Sequence, residues 1–104
     1  MAEVEDRMQR ITGHKGVKGL LIVDENGKIL RQNAQVMKTQ MGESAPKQYA
    51  QKVVELAKKA RSVVRDISPL NDLTFFRVRS KRQEIMVAPD KNIFLIVVQD
   101  VYQD

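Results

Sequence analysis

Apolar residues recur along this chain with two different periods. In residues 2–12, Val4, Met8 and Ile11 fall at i, i+4 and i+7, a narrow stripe among charged neighbours that predicts a short helix. Gly13 is placed to end it. Residues 17–23 (VKGLLIV) are apolar on both sides, which predicts a central strand covered on both faces. Asp24-Glu25-Asn26-Gly27 is a hairpin turn, because Asn-Gly accepts positive φ. Residues 28–32 read as the returning strand, polar enough to lie at an edge. Residues 33–44 show no clear period and read as a long contact loop.

Residues 45–67 predict a long helix. Ser44 is placed to cap it, Pro46 fits the first turn, and Pro69 stops it. At about 1.5 Å per residue it is roughly 35 Å long. Its apolar positions are Tyr49, Ala50, Val53, Val54, Leu56, Ala57, Ala60, Val63, Val64 and Ile67. They cover an arc of roughly 180°, whereas packing on one sheet needs about 100°. The extra width asks for a second apolar neighbour. Three strands follow. Residues 73–79 alternate, with Thr74, Phe76 and Val78 on one face and Leu73, Phe75, Arg77 and Arg79 on the other. Residues 84–88 form a short strand ending at Pro89, and residues 94–98 are apolar on both faces and belong beside 17–23. The order is α-β-β-α-β-β-β, a single α+β domain spanning 1–104.

Composition narrows the chemistry. The chain is 42% hydrophobic and 30% charged, as expected of a globular protein. No cysteine excludes a disulfide framework and thiolate chemistry. The single histidine, His14, sits in a connector without metal-ligand companions, so no metal or cofactor is expected. The acidic start lacks the apolar core of a secretory signal, which predicts a reducing compartment, and no apolar run is long enough to span a membrane. Gly13, Gly16 and Gly19 recur every third residue, but they follow a helix and open a strand. A phosphate-binding loop needs the opposite context. The acids form no dyad, and no nucleophile motif appears, so the chain reads as non-enzymatic.

The net charge of +5 is unevenly placed. Residues 58–82 hold Lys58, Lys59, Arg61, Arg65, Arg77, Arg79, Lys81 and Arg82 against Asp66 and Asp72. The other residues carry ten bases and eleven acids. As a nucleic-acid binder, Phe75 and Phe76 would stack bases while these arginines met phosphate. No RNA-recognition signature accompanies them, and an arginine-flanked phenylalanine on an edge strand suits a protein interface better.

Residues 60–91 carry a family resemblance. Ala60-Arg61-Ser62-Val63-Val64-Arg65-Asp66-Ile67 leads to Pro69-Leu70-Asn71-Asp72-Leu73-Thr74-Phe75. Arg77-Val78-Arg79-Ser80-Lys81-Arg82 leads to Glu84-Ile85-Met86-Val87-Ala88-Pro89-Asp90-Lys91. These segments, with Met1–Glu5 and Lys15-Gly16-Val17, resemble the roadblock-type dynein light chains of the roadblock/LC7 family, over nearly the whole chain. The 33–44 loop is longer than in the usual cytoplasmic members. The resemblance implies a roadblock/profilin-like sandwich around a five-stranded, mostly antiparallel sheet, ten-stranded across a homodimer. It implies pairing of the long helices and edge-to-edge joining of the third strands. The residues expected there are Val53, Ala57, Ala60, Val64 and Ile67 on the helix, with Phe75 and Arg77 on the strand. It further implies a non-catalytic accessory light chain of the dynein motor, in the cytoplasm on the cytoskeleton or in a cilium. Such a light chain binds the dynein intermediate chain and links cargo for microtubule-based transport. Val4, Met8 and Ile11 are candidate contacts for that partner, or else cover the sheet. A paralogue could replace the second copy. The wider superfamily includes bacterial partners of small GTPases, so a GTPase-regulating scaffold is the alternative, with a basic nucleic-acid module after it.

Overall fold

The computed structural model describes residues 16–101. The helix expected at 2–12, with Val4, Met8 and Ile11, lies outside them, as does His14. Strands β1 (Val17–Asp24), β2 (Ile29–Asn33), β3 (Phe76–Arg79), β4 (Gln83–Asp90) and β5 (Ile93–Asp100) form one sheet in the order β2-β1-β5-β4-β3. Every neighbouring pair is antiparallel. The two most apolar segments, β1 and β5, pair at the centre as expected, with Leu21 opposite Ile96. The polar β2 lies at one edge. The β1–β2 turn is closed by the Asp24 carboxylate, whose Oδ1 accepts the amides of Asn26 and Lys28 at 2.9 Å each. Gly27 there takes φ +86°.

Between β2 and β3 the chain crosses one face of the sheet through helices α1 (Gln35–Met41) and α2 (Ala45–Ile67). Alternation along the strands sorts their side chains to two sides. Leu21, Val23, Val87, Phe94, Ile96 and Val98 meet the helices, together with Met37, Ala50, Val53, Val54 and Ala57. Leu20, Ile22 and Val97 face the other way, with Val17, Met86, Ile93 and Leu95 around them. Alanines at 45, 50 and 57 give α2 a low profile on the sheet. Tyr49 ties the start of α2 to β4, its hydroxyl donating to Gln83 Oε1 at 2.5 Å. Burial pushes its phenol pKa up.

Four sequence expectations change. The 33–44 segment is not a loop: Gln35–Met41 is helical. Ala34, Met37 and Met41 supply a stripe at i, i+3 and i+7, hidden in the sequence because Val36 falls off it and stays exposed. Gly19 leaves room for this helix, since a Cβ there would lie 2.9 Å from Met37 Cε. Ser44 occupies the cap position of α2 but makes no side-chain capping bond. The strand expected at 73–79 begins only at Phe76, because the Leu73 amide donates to Asp72 Oδ1 at 2.8 Å. Finally, β4 runs through Pro89 to Asp90 instead of stopping there. The β3 ladder ends at Phe76 opposite Val87, so among the described residues the outer flank of β4 beyond it has no strand to receive an N–H.

Ile96 is fully buried at the centre of the helix-covered face. Ile96→Ala should destabilise the fold by about 2–5 kcal/mol, read from urea unfolding at constant m-value.

Candidate protein interface

Helix α2 buries its apolar arc unevenly. Ala45, Pro46, Ala50, Val53, Val54 and Ala57 are buried, and none beyond Ala57 is. Leu56, Val63 and Ile67 remain exposed, Ile67 at 81%. At about 100° per residue, Tyr49, Leu56, Ala60, Val63 and Ile67 share one flank, roughly 80° round from the centre of the buried one. Tyr49, Leu56 and Val63 are seven apart, as are Ala60 and Ile67, the spacing of a seam between two helices. Of the helical residues expected at the interface, Val53 and Ala57 are in the chain's own core at 5% and 0% exposure. Burial there leaves them little surface to offer a second copy. Ala60 and Val64 are half-buried, and Ile67 is fully available. Leu56 and Val63 were not singled out from sequence. The seven-residue spacing was the available signal, but periodicity does not say which flank meets the sheet.

The loop after α2 extends this surface. Leu70 is fully exposed and Phe75 is 49% exposed. The loop is held by a two-point pair: Arg61 Nε donates to Asp72 Oδ1 at 2.8 Å and Arg61 Nη2 to Oδ2 at 2.9 Å. The Asp72 carboxyl is held below its ordinary pKa by the Arg61 hydrogen bonds first, then by the Leu73 amide.

Among the described residues strand β3 is the other sheet edge and pairs only with β4. Phe76 packs on the helix-covered core, whereas Phe75 lines a shallow groove on the opposite face. The two phenylalanines therefore make no common stacking platform for bases. The groove holds about 330 Å³ and is walled by Val17, Met86, Ala88, Leu95, Val97 and Gln99 besides Phe75. Arg77 and Arg79 stand on that same face, opposite Met86 and Glu84. Glu84 is 6% exposed, and among the described residues it is the one buried charged side chain. Its Oε1 accepts from Gln99 Nε2 at 2.9 Å and lies 3.5 Å from Arg77 Nε, and its Oε2 lies 3.8 Å from Arg79 Nε. Sequence reading missed Glu84, because burial of a charge depends on strands far apart in the chain. Lys58, Lys59, Arg65, Lys81 and Arg82 are exposed. Among the described residues no group of three or more His, Cys, Asp or Glu could hold a metal, and no helix is long and apolar enough to cross a membrane. The site has the features of a binding surface: an apolar helix flank, an open strand edge and fixed arginines.

An antiparallel five-stranded sheet with a long helix laid across one face, its third strand at an edge among the described residues, defines a small α+β domain. Residues 3–100 match the family described as Roadblock/LC7 domain, and the chain belongs to that family. Its fold is shared with a structure of MglB in a tetrameric arrangement, at TM-score 0.78 and 13% identity, covering 95% of this chain and 71% of that one. Gliding protein MglB from Thermus thermophilus gives TM-score 0.78 and 13% identity over 95% and 72%. A Roadblock/LC7 domain from Streptomyces avermitilis gives 0.73 and 12% over 92% and 73%. At these identities the likeness is one of fold.

The low Asp72 pKa means the pair stabilises the fold above the ordinary carboxylate range and loses that contribution as pH falls through the folded value. Replacing Arg61 should move the Asp72 titration up towards its ordinary value. Carbon-13 NMR of the carboxyl group in Arg61→Gln measures this; an unmoved titration would rule out Arg61 as the cause.

Proposed function

We propose that the chain is a non-catalytic scaffold subunit that works as a homodimer. One observation carries this reading. Leu56, Val63, Ile67, Leu70, Phe75 and Val78 are exposed along one helix flank, its following loop and an open strand edge. Edges left open and apolar invite pairing. Joining β3 to β3 and α2 to α2 covers both features at once, giving a ten-stranded sheet. The interface residues on this reading are Leu56, Ala60, Val63, Val64 and Ile67 on α2, with Phe75, Arg77 and Val78 around β3. Self-association also accords with the tetrameric arrangement of the MglB structure that shares the fold.

Two finer readings concern what the dimer holds. The first is an accessory light chain of dynein that binds the intermediate chain, in the cytoplasm or a cilium. Its support is the sequence of residues 71–75 and 86–91, which resembles the dynein branch of the family. The second is a scaffold regulating a small GTPase, as bacterial members of the superfamily do by the same resemblance. It is the reading that the fold likeness to MglB favours. On either reading a two-fold dimer offers two equivalent sites, which raises avidity without new contacts. Val4, Met8 and Ile11 remain proposed partner contacts.

Sedimentation at micromolar concentration should give twice the 11.9 kDa chain mass. A monomer alone would end the homodimer reading. Ile67→Asp and Phe75→Asp should each weaken the dimer by about tenfold or more while leaving the monomer folded. A pull-down from a lysate of the source cells separates the two finer readings: recovery of intermediate chain supports the first, and recovery of a small GTPase supports the second.

A further inference from the structure

Strand β3 raises a charge problem for any pairing with itself. Arg77 and Arg79 lie on the groove face of the sheet, and Phe76 and Val78 on the helix face. When two antiparallel copies join through a two-fold axis perpendicular to the sheet, residues opposite each other must share a face. That rule leaves few registers for a four-residue strand. Centred on residue 78, Arg77 stands opposite the partner subunit's Arg79. Centred on residue 77, it stands opposite the partner subunit's Arg77. Either way arginine faces arginine, and like charges directly opposite destabilise a strand pair.

Glu84 sits where it offsets this. Its carboxylate is buried and held by Gln99, and it approaches both guanidiniums of its own copy, whose side chains are more than half exposed. Buried charge is costly unless paired, so Glu84 is fixed in place rather than drifting into solvent. We infer that Glu84 is the specificity-determining residue that lets an arginine-bearing edge strand join to a copy of itself. It cuts the charge that each copy brings to the seam from +2 to +1. It acts through Arg77 and Arg79, as a positioning residue. This inference rests on the homodimer reading above.

The test is the dimer dissociation constant of Glu84→Gln across a salt series, with thermal melting as the check on folding. Removing the acid should weaken the dimer about tenfold at low salt, and added salt should restore it, because screening relieves repulsion. A merely structural role would weaken the dimer without that sign of salt dependence. Adding Arg79→Gln to Glu84→Gln should recover most of the lost affinity. Should Glu84→Gln alone fail to fold, Arg79→Gln alone decides: the seam charge per copy falls from +1 to 0, so its dimer should tighten at low salt and lose its salt dependence. A wild-type dimer with no such response in either variant overturns the inference alone. A wild-type monomer at micromolar concentration overturns the homodimer reading beneath it.

Discussion

Helix α2 runs out of sheet before it runs out of apolar residues. Its first half lies on β1 and β5 and buries small side chains there, ending with Ala57. Its second half carries Val63 and Ile67 past that cover. Fully burying a Val, Leu, Ile or Phe side chain contributes about 1.5–3 kcal/mol. Six such residues lie exposed or half-exposed on this surface, and the two-fold contact proposed above would count each of them twice. The sum reaches the order of the 4–15 kcal/mol that association costs in lost freedom. The rest of the molecule arranges itself around this uncovered flank. The Arg61–Asp72 pair holds the loop beside it, and β3 ends the sheet beside it with its edge open.

The basic stretch takes on a different meaning inside this fold. Eight bases in residues 58–82 look like one patch when read along the chain. In space they divide. Arg61 is committed to Asp72, and Arg77 and Arg79 are committed to Glu84. Lys58, Lys59 and Arg65 lie on the solvent side of α2, and Lys81 and Arg82 at the β3–β4 turn. Pairing removes much of the free charge that a phosphate backbone would need, and Phe75 and Phe76 point away from each other. That division accords with the protein interface proposed above more than with a nucleic-acid footprint.

Much of the architecture was legible residue by residue. Alternation and apolar runs marked four strands and the Asn-Gly turn the fifth, β2, and the double-sided character of 17–23 and 94–98 placed them at the centre, where β1 and β5 pair. Pro69 marked the end of α2, and Asn26-Gly27 the first turn. Other elements were hidden for physical reasons. Helix α1 is seven residues long and buries only one side chain within its bounds, Met37, so its period is too brief to stand out. The start of β3 is set by side-chain bonds of Asp72 that compete with the ladder, a contest that strand propensity does not register.

The sequence by itself determined the order of the five strands and the long helix, the overwide apolar arc of α2 and the membership of residues 73–79 in two opposite faces. These follow from periods that each element carries internally. Only the tertiary structure decided which flank of that arc is covered, putting Val53 and Ala57 inside and Leu56 and Val63 outside. It also decided that Glu84 is buried beneath Arg77 and Arg79. A period sets the angles between side chains on one element. What each side meets depends on contacts between β1, α2, β4 and β5, which are distant in the chain and form only when the sheet closes.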